Sequence, residues 1–492
     1  MFESAELGNE VDKATFKQEE PALREALLNA QYDLLADGRL AVLVIVAGPE
    51  GAGRTETVNL LKEWLDPRHL VVKAFGACSD EERERPPAWR YWRDLPPKGR
   101  IGILFNAWYS DLFAHRILGG GNDAQLEQEM RRVMRQEQML ADEGILILKL
   151  WIHLSKKDFK ARAEELAKHL RTRWKVTAQE HRLYKSYNKL KEIAGHVLRT
   201  TSTGQAPWVV VEGADWRYRN LTAARLVLDR LQAAVAKPEA PEARPQSSPL
   251  FSAAAPVNLL DRLDLTLKLE RDDYRDQLAK WQGRLARALV KPGFSKMAVV
   301  AVFEGNDAAG KGGSIRRVTQ ALDARAYDIH AIAAPSDEEL AHPYLWRFWR
   351  RIPRLGRLAI FDRSWYGRVL VERVEGLCSV HDWMRAYGEI NEFEERLAEN
   401  NILVLKFWLS ISKDEQLARF EERKKSPFKR FKITPEDWRN RERWGDYVDA
   451  VCDMVDRTST EYAPWNLVQA NDKRYARVKV LTTLVQQIED AL

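Results

Sequence analysis

Two tandem α/β domains, each a parallel sheet flanked by helices around a P-loop position, are predicted for this 492-residue chain. Three observations predict them: a repeat of fixed spacing, apolar runs that alternate with helical stretches, and a glycine loop between one such run and a helix. GPEGAGRTE, opening at Gly48, returns as GNDAAGKGG at Gly305, 257 positions later. In the same register CSDEERERPPAWRYWRDLPPKGR (Cys78 to Arg100) lies over PSDEELAHPYLWRFWRRIPRLGR (Pro335 to Arg357). TTSTGQAPW (Thr200 to Trp208) likewise lies over RTSTEYAPW (Arg457 to Trp465). From Ser79 to Asp111, 15 of 33 positions are identical without a gap, which chance does not produce. Residues 1–235 and 258–492 are therefore read as two copies of one domain. Between them, residues 236–257 carry five prolines among Ala, Ser and Glu, a composition that buries little surface and reads as a semi-extended tether.

Within the second copy each element has its own signal. MAVVAVFEG (Met297 to Gly305) is a continuous apolar run ending in glycine, the pattern of a strand buried on both faces. A helix is expected from Lys311 through Ala321. LAIFDRS (Leu358 to Ser364), ILVLKFWLSI (Ile402 to Ile411) and WNLVQAND (Trp465 to Asp472) read as further buried strands. Helical stretches such as Asp382–Asn400 and Asp446–Met454 separate them, so the strands should run parallel. Leu260 to Leu289 has apolar residues at helical spacing and is expected to form a helix in front of the sheet.

Composition narrows the class. Hydrophobic residues are 45% and charged residues 30%, a balance that suits buried cores. No apolar run approaches the ~20 residues of a membrane span, and MFESAELGNEVDK lacks a basic-then-apolar leader pattern. Three widely separated cysteines, Cys78, Cys378 and Cys452, make neither a zinc site nor a disulfide framework, so a cytoplasmic location is expected. The net charge of +6 suits an anionic partner.

The chemistry concentrates in the second copy. Gly305, Asn306, Asp307, Ala308, Ala309, Gly310 and Lys311 form Gly-x-x-x-x-Gly-Lys after a buried strand, the arrangement that turns backbone N–H groups around phosphate oxygens. The lysine would neutralise charge on a transferred phosphoryl group. The usual Ser/Thr after that lysine, a magnesium ligand, is replaced by Gly312 and Gly313. Hard oxygen ligands for Mg2+ must then come from elsewhere, and Asp307 inside the loop and Asp362 at the end of LAIF are the candidates. Asp307 could instead cap the following helix, and Asp362 could simply pair with Arg363. Arg363 and Arg368 in FDRSWYGR carry fork-shaped guanidiniums suited to phosphate.

The first copy is an internal control. Lys311 corresponds to Arg54, Asp307 to Glu50, Asp362 to Phe105, Arg363 to Asn106 and Arg368 to Asp111. Trp89, Trp92, Pro96, Gly99 and Trp108 are retained, which reads as a scaffold kept while its chemistry is lost; residues 1–235 are expected to be catalytically silent. Binding of some other ligand through Glu50, Arg54 and Thr55 is the competing reading. From Arg419 to Arg443 the second copy holds ten Lys/Arg against five acids, the composition of a basic lid that closes over phosphates. Spacing alone does not choose between ATP and a longer polyanion.

GNDAAGKGG, PSDEELAHPYLWRFWR, FDRSWYGRVLVERV, SPFKRFKITPEDWRNRERWGDY and TSTEYAPWNLVQANDKRYAR together closely resemble the polyphosphate kinase type 2 family, across 258–492 and more weakly across 1–235. The fused arrangement resembles the two-domain subclass that phosphorylates AMP to ADP. The resemblance implies P-loop kinase-like, thymidylate-kinase-like α/β domains with a basic helical lid, inorganic polyphosphate as donor and AMP as acceptor. By the family pattern Asp307 and Asp362 hold magnesium, Lys311, Arg363 and Arg368 contact phosphates, and Lys429 and Arg430 guide the polymer. An ATP-dependent nucleoside monophosphate kinase, a polyphosphate-driven ADP/GDP kinase and a non-catalytic nucleic-acid or polyphosphate binder are the alternatives. Neither a nucleic-acid nor a membrane partner is expected. The two copies are expected to pair as an intramolecular pseudo-dimer, with further oligomerisation open.

Overall fold

AVLVIVA, seven consecutive buried residues, forms β1 (Ala41–Ala47), the central strand of the first sheet. Around it lie β2 (Leu70–Ala74), β3 (Ile101–Phe105), β4 (Ile145–His153) and β5 (Trp208–Glu212), in the order β2-β3-β1-β4-β5. The computed structural model describes residues 2–49, 51–110, 112–113, 122–168, 170, 186–236 and 258–492. Glu50, Asp111 and nearly all of the proline-rich segment lie outside the described residues. In the second copy AVVAVFEG forms β6 (Ala298–Gly305), followed by β7 (Tyr327–Ala331), β8 (Leu358–Asp362), β9 (Ile402–Ser410) and β10 (Trp465–Gln469). Their order is β7-β8-β6-β9-β10, the same topology, and every pairing in both sheets is parallel. Register repeats as well: Val42 faces Ile101 on the neighbouring strand, and Val299 faces Leu358.

Helices bury both faces of each sheet. In the first unit Leu27 and Leu34 of the Lys13–Asp37 helix and Leu221 and Leu231 of the Trp216–Val235 helix pack on Val42, Val44 and Leu150. In the second, Leu285 of the Arg271–Leu289 helix and Leu481 and Leu484 of the Lys473–Ala491 helix cover Val299, Ala301 and Leu405. The chain divides into two compact units that differ from the contiguous halves in two short segments. Ser79–Trp89 belongs to the second unit, where Arg85 Nε donates to Ile352 O at 2.8 Å. Ser336–Trp346 belongs to the first, where Lys98 N donates to Ala341 O at 2.8 Å.

Several boundaries move from the sequence expectation, for local reasons. The segment expected to be helical from Leu260 is a short 3-10 turn, Leu259–Arg262, and the helix begins only at Arg271 after Glu270. The helix expected to end at Ala321 ends at Thr319, where Ala321 N turns back to Val318 O. The stretch read as Asp382–Asn400 begins at Val380, because Ser379 and Asp382 form a reciprocal cap. The Asp446–Met454 helix runs further in both directions, Trp444–Thr458. Strand β7 was not foreseen: YDIHA is an edge strand with no fully buried residue, so no apolar run marks it.

Candidate active site

β6 ends at Gly305, and the chain crosses Asn306 to Gly310 before the Lys311–Thr319 helix begins. Gly305 has φ +149°, and a Cβ there would collide with Leu409 O, so only glycine lets the loop leave beside β9. Gly310, at φ +106°, caps the helix whose first turn supplies N–H groups pointing back at the loop. Asn306 is committed to the scaffold: its Oδ1 accepts from Ile411 N at 3.1 Å. Arg419, counted among the lid cations from sequence, does something else. It is buried, and its guanidinium donates to Ala308 O (2.9 Å) and Ala309 O (3.1 Å) on one side and to Ala470 O (2.7 Å) and Asn471 O (2.8 Å) on the other. It therefore braces the loop from beneath, with the rest of its charge met by Glu415 at 2.6 Å.

A cleft opens on one side of this loop. Glu304, Gly305, Asn306, Asp307, Lys311 and Arg363 line it with Trp408, Trp444, Tyr447, Leu370 and Val371. The Lys311 ammonium donates to Gly305 O at 2.6 Å. Asp307 accepts from Asn440 Nδ2 at 2.8 Å, and Asn440 in turn accepts from the Tyr447 hydroxyl at 3.1 Å. Arg363 lies 3.6 Å from Asp307 and 3.8 Å from Glu436. Burial disfavours the Arg363 charge, but the carboxylates of Asp307, Glu304 and Glu436 outweigh it and raise its pKa. Arg363 also has φ +63°, a strained conformation for a residue with a Cβ, held by its N–H donating to Phe303 O at 3.1 Å.

The other expected residues are distributed around this cleft. Asp362 ends β8 beside Phe303 of β6, and it is not among the residues lining the cleft. The guanidinium of Arg368 is drawn to Glu372 one helical turn on, Nε to Oε2 at 2.9 Å, so the structure places it in an ion pair rather than at the loop. Ala308, Ala309 and Gly310 present their other side to a second, strongly basic groove with Arg423, Lys429, Lys432, Lys473 and Arg477. Lys429 in that groove pairs with Glu422 at 3.0 Å. Arg430 stacks over Phe431 at 4.9 Å. Gly312 faces open space, whereas a Cβ on Gly313 would stand 3.3 Å from Arg477. The basic stretch itself resolves into the Lys413–Lys425 helix, a 3-10 turn at Arg430–Lys432 and the Pro435–Glu442 helix, the last of which brings Asn440 to Asp307.

Sequence reasoning also missed what holds the β8 turn. Trp365 Nε1 and the Tyr366 hydroxyl both donate to Glu394 Oε1, at 3.0 and 2.7 Å. Lys406 closes the network with bonds to Glu394 Oε2 (2.7 Å), Tyr366 Oη (2.8 Å) and Thr458 O (2.7 Å). The first unit reproduces it with Trp108, Tyr109, Glu137, Lys149 and Thr201. Trp108 and its counterpart Trp365 are thus framework, and Trp89 and Trp92 are buried in the core.

The first unit fills its own corresponding spaces. Arg219, whose counterpart Ala476 lines the basic groove, lies directly against Gly53 and donates to Thr57 Oγ1 and Gly213 O, both at 3.1 Å. Phe2 stacks on His153 with ring centres 4.5 Å apart and reaches Trp151, the counterpart of Trp408. Glu6 meets His153 at 2.8 Å, and Glu212 accepts from Gly8 N and from Asn9.

The donor set suits a hard divalent cation. Asp307 and Asp362 are hard oxygen donors at the carboxyl ends of adjacent strands, and among the described residues no group of three or more His, Cys, Asp or Glu is arranged to hold a metal ion by itself. Magnesium is commonly held by one or two carboxylates, with substrate phosphates and water completing its shell.

A parallel sheet with a phosphate-binding loop at the carboxyl end of its central strand, cations beside it and a cleft alongside defines a P-loop phosphotransferase. The sequence matches the family described as Polyphosphate kinase 2 over residues 10–239 and again over 268–492, and the chain belongs to that family. It is 55% identical to a polyphosphate:AMP phosphotransferase of Pseudomonas aeruginosa over 491 residues, covering 100% of this chain and 99% of that protein. It is 38% identical to a protein of the same name from Acinetobacter johnsonii, covering 94% and 95%. Its structure aligns with a polyphosphate kinase 2 crystal structure from Pseudomonas aeruginosa at TM-score 0.90 and 53% identity, over 100% of this chain and 99% of that one. Both repeats thus carry the family's sheet.

Proposed function

We propose that the second unit transfers the terminal phosphoryl group of inorganic polyphosphate to AMP, giving ADP and a polymer one unit shorter. The observation that carries the reading is the placement of the Gly305–Lys311 loop between two different spaces, an aromatic-lined cleft and a basic groove. The cleft suits a nucleotide, whose base can lie among Trp408, Trp444 and Tyr447. The groove, with Arg423, Lys429, Lys432, Lys473 and Arg477, suits a chain carrying about one charge per phosphate. Relatives matched along the whole chain bear the name polyphosphate:AMP phosphotransferase.

The chemistry is an in-line displacement. An oxygen of the AMP phosphate attacks the terminal phosphorus of the donor, a new P–O bond forms, and the anhydride P–O bond breaks toward the remaining chain. With a second phosphate pKa of about 6, the AMP nucleophile is already largely dianionic at neutral pH, so no strong base is needed. The loop N–H groups orient the donor, while Lys311 and Arg363 neutralise charge on the transferred group. Lys311 must exchange its bond to Gly305 O for a phosphate oxygen. Arg368 would leave Glu372 to reach phosphate. Asn440 and Tyr447 hold the Asp307 carboxylate in place. Asp307 and Asp362 would hold Mg2+, which would supply charge neutralisation for the phosphates.

We assign no transfer to the first unit. Its lysine position is Arg54, whose Nη1 is committed to Asn106 Oδ1 at 2.8 Å, and Arg219 and the Phe2–Asn9 segment fill the spaces that the second unit leaves open. No helix of the described residues is long and apolar enough to cross a membrane. The three widely separated cysteines, none of them in a disulfide, are the reason we place the chain in the cytoplasm.

Incubation with AMP, Mg2+ and long-chain polyphosphate, without ATP, tests the assignment. ADP should accumulate. ADP formed only when ATP is added would establish the ATP-dependent alternative, and ATP made from ADP far faster than ADP from AMP would establish a nucleoside diphosphate kinase.

A further inference from the structure

Glu304 and Ser364 are buried side by side where the two catalytic segments meet. The Ser364 hydroxyl donates to Glu304 Oε1 at 2.9 Å and accepts from Tyr366 N at 3.3 Å. Glu304 is the last residue of β6 before Gly305, and Ser364 caps the 3-10 turn that follows Asp362 and Arg363. Both are almost fully buried, at 5% and 1% exposure, yet Glu304 lines the cleft with Lys311 and Arg363. The counterparts 257 positions earlier are Ala47 and Ala107: both polar partners are replaced together in the repeat that has lost its lysine and aspartates. That repeat ties the same two segments differently, through Arg54 Nη1 to Asn106 Oδ1 at 2.8 Å. Its cross-link uses the very positions that Lys311 and Arg363 occupy in the second unit.

From this contrast we propose that Glu304 and Ser364 are a positioning pair, a clamp that fixes the Gly305–Lys311 loop against the Asp362–Arg363 turn while leaving the Lys311 ammonium and the Arg363 guanidinium out of the cross-link. An unpaired carboxyl in so buried a place would be costly, and burial does push Glu304 above the usual carboxylate range, against the pull of Lys311, the Ser364 bond and Arg363. The side chain is kept in spite of that cost because two strand ends must be held at fixed separation for the cations to meet one phosphoryl group. The proposal rests on the phosphotransferase reading above.

A double-substitution cycle on the full chain tests it, with kcat and KM for AMP measured at saturating polyphosphate and Mg2+. Glu304→Ala and Ser364→Ala should each lower kcat about ten- to a hundredfold, the scale of misplacement by an ångström or less, with KM changed under about threefold. The double variant should be no worse than the poorer single one, because both break one contact. Glu304→Gln, which keeps an acceptor for the serine, should recover most of the rate. The Ala/Ala pair is already tolerated in the same scaffold at positions 47 and 107, so thermal unfolding of the double variant should change little, whereas Ser364→Ala alone, which strands the buried Glu304 carboxyl, should melt lower. Independent, multiplicative losses, a Glu304→Gln variant as poor as Glu304→Ala, or singles within about twofold of wild type would overturn the clamp. Failure of the wild-type chain to make ADP from polyphosphate and AMP would instead overturn the function on which the clamp depends.

Discussion

Lys406→Met separates what the buried framework does from what the active-site cations do. Lys406 and Glu394 are both 0% exposed and 2.7 Å apart. Burial pushes the Glu394 carboxyl up and the Lys406 ammonium down, while their contact opposes both changes. Methionine nearly matches the lysine stem but cannot make the bonds to Glu394, Tyr366 and Thr458. Removing one partner of such a pair costs about 3–5 kcal/mol because the other is left uncompensated. At roughly 2–4 °C per kcal/mol for a domain of this size, the second unit should melt ~6–20 °C lower. Glu394 also anchors Trp365 and Tyr366, the residues directly after Ser364, so kcat should fall with Tm rather than independently of it. Scanning calorimetry and the ADP assay on the same preparation give both numbers. Adding Glu394→Leu should recover part of the stability, since no charge is then left buried. A Lys406→Met protein melting within about 2 °C of wild type would refute the account of the framework.

Three further outcomes are expected. Asp307→Asn should lower kcat at least a hundredfold and weaken the response to added Mg2+ in a metal titration, because an amide is a poor magnesium ligand. Arg54→Ala should leave ADP formation within about twofold of wild type; a loss matching that of Lys311→Ala would show that the first unit takes part in catalysis. Burial depresses the pKa of His153 below its ordinary 6.5 despite Glu6 beside it. Its contribution to stability is therefore complete above pH 6.5 and lost as pH falls through the lower folded value, because the unfolded chain takes up the proton first. Calorimetry between pH 7.5 and about 5 should show a decline for the wild type that His153→Gln makes shallower.

The loop, its flanking strand and the repeat were legible because each is encoded by neighbours in sequence: an apolar run, two glycines and a lysine at fixed spacing. What escaped is encoded across distance. Glu304 and Ser364 are sixty positions apart, and only the parallel pairing of β6 with β8 brings them together. The double loss at Ala47 and Ala107 was visible in the repeat, but nothing in a single sequence marks two alanines as a vanished hydrogen bond. Arg419 could not be told from the nine other cations around it, since only the fold decides which guanidinium points inward at Ala308 and Ala470. Lys149 and Lys406 sit inside apolar strands, and only the fold brings Glu137 and Glu394 opposite them, although a lysine repeated at the same place in two copies signals such a partner. The acidic first residues gave no periodicity, yet Phe2, Glu6 and Asn9 settle onto the ends of β4 and β5 by single contacts that no pattern announces.

One comparison bears most directly on whether the second unit alone performs polyphosphate-driven transfer: ADP formation from AMP, Mg2+ and long-chain polyphosphate, without ATP, by wild type, Lys311→Ala and Arg54→Ala. The account predicts turnover by wild type and Arg54→Ala and none above background by Lys311→Ala. Turnover surviving in Lys311→Ala, or absent from all three proteins, would contradict it.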